Sequence, residues 1–185
     1  KKQKKKNQRK KMYELDYNEL SLIVPEKGIF LDIGCGEGDF LSYFQNIRKL
    51  GYDIDQNATL NSSKVNKDIE FIDYLESVKN QELNCVIFRG TLQYMRNINQ
   101  SIKYSYDKLI DNGYLCIFSL PNTDSPLARL QRENWSMCNK IEHIQLFNIN
   151  SLDFLLRNKF KIIHISFPYL GTPYENHNND LQLII

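Results

Sequence analysis

The stretch from Phe30 to Leu41, FLDIGCGEGDFL, sets an apolar run against an acid and then places Gly34, Gly36 and Gly38 at every second position, among Asp32, Glu37 and Asp39. A glycine-rich bend between a strand and a helix lets a ligand approach the backbone, because no side chain blocks it and glycine accepts positive φ. Two ligand chemistries use such a bend. A dinucleotide lays its pyrophosphate on the helix amino terminus and spaces its glycines GxGxxG. Here the third position of that pattern is Asp39, and Glu37 stands in the same turn. Two carboxylates at that place repel a diphosphate and already compensate the helix dipole. A cofactor that is cationic at sulfur and carries an ammonium group has the opposite preference, with Asp32 placed as an indirect anchor for the ammonium. Glu37 and Asp39 also serve as plain helix-capping acids under either ligand.

Strands and helices alternate around this bend. Met12 to Val24 has the apolar spacing of a short amphipathic helix, closed by Pro25. GIFLDI, IRKLGYDI, IEFI, LNCVIFRG, GYLCIFSL and KIIHISF read as six strands, and LQLII as a seventh. Between them, Phe40, Leu41 and Phe44 mark one helix face, Asn57 to Lys64 a short helix, and Ile102, Tyr106, Leu109 and Ile110 another face that ends at DNG. Residues 122–150 form a long polar and aromatic insertion, followed by NSLDFLLRNKF as a helix capped by Asn150 or Ser151. The pattern predicts an α/β fold, a doubly wound, mostly parallel seven-stranded sheet with helices on both faces. Right-handed crossovers then bring the strand carboxyl ends and their loops to one edge.

The 185 residues, 42% hydrophobic and 12% aromatic, fit one domain with a sizeable core. No apolar run approaches the ~20 residues needed to cross a bilayer. No apolar segment follows the basic amino terminus either, so a cytoplasmic protein without a membrane span is expected. Cys35, Cys85, Cys116 and Cys138 lie far apart without a CxxC pair and read as reduced packing residues, so no metal site is expected. The net charge of +2 hides an asymmetry: residues 1–11, KKQKKKNQRKK, carry eight basic side chains and no acid, leaving 16 basic against 22 acidic residues in 12–185. This block repels itself and has no apolar face, so it reads as a disordered tail or a solvated helix extension. It serves as an electrostatic arm for an anionic partner or as a plain linker, and the absence of interleaved aromatics favours the linker.

LDIGCGEGDF followed by GYDID resembles the first two motifs of the class I S-adenosylmethionine-dependent methyltransferases, and the order of elements over residues 25–185 is similar to that fold throughout. The match is specific, because an acid precedes the glycines by two residues and a second acid, Asp53, closes the next strand 21 positions after Asp32. The resemblance implies S-adenosyl-L-methionine as cofactor and S-adenosyl-L-homocysteine as product, bound over Asp32, Gly34, Cys35, Gly36 and Gly38. In the family the second acid accepts from both ribose hydroxyls, a role that falls on Asp53, with Asp55 as its competitor. Ile54 is then set to pack on the adenine. Asp73 aligns with the acid that meets the adenine amino group, with Tyr74 beside it, although a loop acid here also serves as a helix cap. Gly90 and the backbone of Arg89 border the methionine part.

The segment FRGTLQYMRN lacks the Asn/Asp-Pro-Pro-aromatic run of enzymes that methylate nucleobase amines, and Tyr94 stands where many small-molecule methyltransferases have the histidine of LEH. TLQ and RN are also similar to the MetW proteins. PNTDSPLARLQRENW and EHIQLFNINSLDFLLRNKF resemble the carboxyl half of the type 11/type 23 methyltransferases, frequent among enzymes that modify sugars, lipids and polysaccharide precursors. The resemblance makes the insertion at about 122–150 a substrate-side lid. It implies methyl transfer to a small molecule or a saccharide or polysaccharide precursor, at a hydroxyl. The alternative is a non-catalytic, MetW-like cofactor-binding module that works through a protein partner. RNA methylation has only the basic tail in its favour, so nucleic acid is not an expected partner.

Transfer from a sulfonium is an in-line displacement with an activated leaving group, so alignment supplies much of the acceleration. A hydroxyl acceptor must also lose a proton. His143, the histidine within the insertion, is the candidate base, or else a structural hydrogen bond that fixes the lid. Tyr94 is the candidate contact near the methyl group, or an aromatic wall. His164, in a strand, and His177, in YENHNND, take no role, and Trp135 either stacks on a sugar ring or forms the lid's core.

Overall fold

Apolar runs too short for helices and flanked by turn residues become strands, and parallel neighbours bury them on both faces. The computed structural model describes residues 2–64, 66–169 and 181–184, without the side chains of 2–6 and 181–184, so His177 lies outside the described residues. The strands are β1 (Gly28–Ile33), β2 (Ile47–Tyr52), β3 (Ile69–Phe71), β4 (Leu83–Arg89), β5 (Leu109–Leu120), β6 (His164–Ser166) and β7 (Leu181–Ile184). They form one seven-stranded sheet in the order β3-β2-β1-β4-β5-β7-β6. β1 to β5 pair in parallel, and β7 runs against both β5 and β6. From β1 the chain winds outward through β2 and β3, then crosses back to β4 on the other side of β1. The reversal opens a crevice outside the carboxyl ends of β1 and β4, where the glycine bend and the β4 loop face each other.

One face of the sheet is covered by α3 (Ile98–Lys108) and α5 (Ile149–Leu156), which bury Ile102, Leu152 and Leu156 against Leu31, Val86, Phe88, Leu115 and Ile117. The other is covered by α1 (Lys2–Leu20) together with Phe40 and Phe44, over Phe30, Cys85, Ile87, Cys116 and Phe118. Burying each large apolar side chain contributes roughly 1.5–3 kcal/mol. The remaining helices, α2 (Gln56–Ser62) and α4 (Pro126–Gln131), are short. Among the described residues no helix is long and apolar enough to cross a membrane.

Four elements differ from the sequence expectation. The basic run takes the helix-extension alternative and not that of a disordered tail: residues 2–11 lie on α1, continuous with the half that carries Tyr13, Tyr17 and Leu20. That half packs by ring contacts of Tyr13 with Phe40 and of Tyr17 with Phe44, and helix propagates from it through the lysines at little cost. The helix expected after the glycines is only a 3₁₀ turn, Leu41–Tyr43, because Asn46 turns the chain at positive φ straight into β2. Phe40, Leu41 and Phe44 are buried as their pattern requires. Leu109 and Ile110 begin β5 instead of ending α3: Leu109 pairs with Leu83, and the register shifts before Cys85 where Asn112 takes φ of 61°. The cap of α5 is Asn148, whose side chain accepts from the Ser151 N–H while Ser151 Oγ accepts from the Asn148 N–H, so the expected cap Ser151 is the far half of a capping box.

α1 runs opposite to the strands, since Glu19 meets His164 at the start of β6 while Tyr13 and Asp16 meet Arg89 at the end of β4. The clasp is a buried ion pair. Asp16, fully buried, lies 2.7 Å from Arg89 Nη2 and accepts from Arg89 Nε at 2.8 Å, and its other oxygen accepts from the Tyr169 hydroxyl at 2.6 Å. Asp16→Ala strands a buried guanidinium and should lower the unfolding free energy by about 3–5 kcal/mol, whereas Asn148→Ala, which removes one cap, should lower it by about 1 kcal/mol. Urea unfolding followed by circular dichroism measures both, and equal small losses would contradict the clasp.

Candidate functional site

The bend between Gly34 and Gly38 keeps its backbone exposed to the crevice for steric reasons. Gly34 has φ of 84°, and a Cβ there would meet the Thr91 side chain at 2.4 Å, so the first glycine is demanded by the close approach of the β4 loop. Gly36 has φ of 54° and nothing within 4 Å of where a Cβ would stand, so that glycine faces open space. The Gly34 and Cys35 N–H groups both donate to the Tyr52 carbonyl, at 2.7 and 3.1 Å, tying the bend to β2. The Gly36 N–H donates to Asp53 Oδ2 at 2.7 Å, and the Asp55 N–H to Asp53 Oδ1 at 2.9 Å. Asp55 caps α2 by accepting from the Asn57 N–H. The two acids therefore divide the work: Asp55 starts the helix, and Asp53 faces the bend.

Asp32, at the end of β1, is 1% exposed, and its Oδ1 has no hydrogen-bond partner among the described residues. Burial pushes its carboxyl up to about 7; Arg89 eases the charge and Asp53 opposes it. Burial, with Asp32 and Asp53 nearby, likewise pushes the Cys35 thiol up, so Cys35 is a packing group of the bend and no nucleophile. Arg89 sends its side chain and its backbone in different directions. Its side chain turns under α1, 11% exposed, with the Tyr13 ring 4.1 Å from its guanidinium carbon, while its carbonyl accepts from Thr91 Oγ1 at 3.2 Å beside Gly90, whose φ is 65°. Ile54 and Tyr74, 90% and 69% exposed, and Asp73, also exposed, stand open at the ends of β2 and β3.

The β4 loop brings Tyr94 to the insertion. The Gln93 carbonyl accepts from the N–H groups of Ile144 and Gln145, at 3.0 and 3.2 Å, and Gln145 Nε2 donates to the Met95 carbonyl at 2.7 Å. These bonds dock 143–145 against the loop and set the His143 ring 5.2 Å from that of Tyr94. His143 Nδ1 lies 3.0 Å from the Met137 carbonyl. A carbonyl only accepts, so Nδ1 carries the hydrogen and Nε2 is left as a bare lone pair. Nε2 is enclosed and has no partner among the described residues, and burial holds the imidazole below its ordinary pKa. Trp135, 6% exposed, is lid core and presents no open face to a sugar. A cavity of about 750 Å³ lies elsewhere, at the amino ends of the strands between Tyr106, Tyr114 and Phe160.

The family model for a methyltransferase domain matches residues 6–163, from α1 to the threshold of β6. The chain belongs to the methyltransferase-domain family. No curated protein matches it. Among solved structures, a Haloferax volcanii methyltransferase in complex with the activator Trm112 is similar over 95% of this chain and 92% of its own, with a TM-score of 0.69 at 13% identity. An S-adenosylmethionine-dependent methyltransferase from Mesorhizobium loti is similar over 92% and 96% of the two chains, at 0.64 and 16%. One from Thermotoga maritima is similar over 83% and 72%, at 0.63 and 19%. At these identities the likeness speaks for the fold, which is that of the S-adenosylmethionine-dependent methyltransferases.

The methyltransferase thus brings Asp32, the glycines and Asp53 together at one crevice, and pairs Tyr94 with His143. Asp16, Tyr13 and Tyr169, which surround Arg89, were missed. In sequence only the isolated acid on the apolar side of α1 hinted at them, since Asp16 falls beside Tyr13, Tyr17 and Leu20.

Three substitutions test this geometry. Because the folded state holds the Asp32 proton up to about pH 7 and the unfolded chain releases it near 3.8, this group's stabilising share is complete below pH 4 and lost as the pH rises to about 7. Asp32→Asn should therefore melt with the wild type near pH 4 and above it at pH 8, by up to about 4 kcal/mol of stability; coincident melting temperatures at pH 8 would contradict the buried charge. Gly34→Ala should lower the melting temperature sharply, whereas Gly36→Ala should cost only about 1–2 kcal/mol of left-handed strain. Equal losses in thermal denaturation would place both glycines in packing.

Proposed function

We propose that this methyltransferase binds S-adenosylmethionine at the glycine bend and methylates a hydroxyl of a small molecule or of a saccharide or polysaccharide precursor. The residues present fit the cofactor. The unpartnered Asp32 Oδ1 calls for a hydrogen-bond donor, and an ammonium group is the donor that restores its carboxylate. Asp53, held at the rim by two backbone N–H groups, keeps further lone pairs for ribose hydroxyls. Glu37, Asp39 and Asp53 together disfavour a diphosphate. Ile54 offers an open apolar face for a base, with Asp73 and Tyr74 along the same edge. When bound, the cofactor supplies a methyl group on a sulfonium whose departure needs no protonation.

The tautomer of His143 carries the hydroxyl assignment. Met137 fixes the hydrogen on Nδ1, so Nε2 is ready to take a proton, and a lowered pKa keeps it unprotonated at neutral pH. The enclosed Nε2 requires segment 143–145 to lift from Gln93 before an acceptor reaches it, with Tyr94 then forming the wall beside the reacting oxygen. The docking bonds themselves support the second reading, in which His143 only fixes a lid and the module acts through a protein partner. The Haloferax volcanii neighbour, solved with an activator, favours keeping that reading in view.

Calorimetry with S-adenosylhomocysteine and methyl-transfer assays with radiolabelled S-adenosylmethionine, against a panel of saccharide and small-molecule hydroxyl acceptors, distinguish the two. Asp53→Ala should weaken product binding by about 10- to 100-fold. His143→Gln should lower kcat by about 10²- to 10⁴-fold with product affinity unchanged. Tight binding with no transfer to any acceptor, or full activity in His143→Gln, would remove the base role.

A further inference from the structure

The amino-acid end of S-adenosylmethionine carries an ammonium and a carboxylate side by side, and Asp32 answers only the first. We infer that Arg89 is the receptor for the carboxylate, with Asp16 as the positioning residue that holds its guanidinium in place. The inference rests on the S-adenosylmethionine reading.

Asp32 pairs with Ile87 across β1 and β4, and Arg89 lies two residues further along β4. Side chains alternate along a strand, so Asp32 and Arg89 leave adjacent strands on the face shared with Phe30, Cys85 and Ile87, at the crevice end of both. The two side chains are thus an acid and a base set side by side, complementary in sign to an amino-acid zwitterion. A guanidinium has two forked edges, each able to grip one carboxylate. Asp16 takes the edge formed by Nε and Nη2, at 2.8 and 2.7 Å. The edge formed by Nη1 and Nη2 has only a long contact, from Nη2 to the Tyr169 hydroxyl at 3.5 Å, and Nη1 has no hydrogen bond to a described residue. Tyr13 covers the flat face of the group at 4.1 Å, so the plane of the guanidinium is held from one edge and one side. What remains open is an in-plane pair of donors at the switch point, a shape that selects a planar anion over a hydroxyl.

The test is calorimetry on the whole chain with S-adenosylhomocysteine and with its decarboxylated analogue, which keeps the ammonium. The wild type should prefer the carboxylate-bearing ligand by about 10- to 100-fold. Arg89→Lys keeps a charge for Asp16 but loses the fork, and should narrow that preference at least fivefold while leaving affinity for the analogue unchanged. Asp32→Asn should weaken both ligands by the same factor. If the wild type binds both ligands equally, Arg89 is not the receptor and the cofactor reading stands. A loss in Arg89→Lys that is equal for both ligands makes Arg89 a structural clasp only and overturns the inference. If the wild type binds neither ligand, the cofactor reading falls with it.

Discussion

A carboxyl group buried at the end of β1, its Oδ1 without a partner among the described residues, organises the carboxyl edge of this methyltransferase. Asp32 is enclosed by apolar strands and the glycine bend, and no backbone N–H turns toward its Oδ1. Folding has placed an acceptor where a donor is missing, and the nearest charge of opposite sign, Arg89, is already engaged by Asp16. Such a group is disfavoured in an isolated fold. In the proposed cofactor reading a ligand ammonium brings the missing donor, so the group's cost in the fold and the site's affinity have the same physical origin.

The edge is built from two halves that reach the crevice along different routes. The half around the bend is local: β1, the bend, β2 and the start of α2 follow one another directly along the chain, and Asp53 locks to Gly36. The other half is assembled over distance, because Gln93 receives the backbone of 144 and 145 and Tyr94 meets His143. α1 joins the two by setting Tyr13 and Asp16 over Arg89. Its opposite end is a basic helical run against a body with an excess of acids.

The local half was legible in the sequence, because glycine spacing, strand-ending acids and apolar runs are patterns of neighbouring residues. Its parallel strands and the places of Asp32 and Asp53 at strand ends followed from that. The helix after the glycines was misjudged, since Phe40, Leu41 and Phe44 have the same apolar spacing in a 3₁₀ turn followed by an extended residue as in a helix. Leu109 was assigned to a helix for a similar reason: it is buried whether it ends α3 or begins β5. The clasp was not legible, as Asp16, Arg89 and Tyr169 are 73 and 80 residues apart and no periodicity links them. The tautomer of His143 depends on one carbonyl, that of Met137, whose direction no composition encodes.

The central claim is that an ammonium-bearing cofactor ionises Asp32 when it settles on the bend. Proton release on binding S-adenosylhomocysteine, measured by titration calorimetry in buffers of different ionisation enthalpy, reads that event directly. At pH 6 the account predicts the release of close to one proton per ligand, falling as the pH passes 7, nearly gone at pH 8, and absent in Asp32→Asn. Binding with no proton release at pH 6 would contradict it.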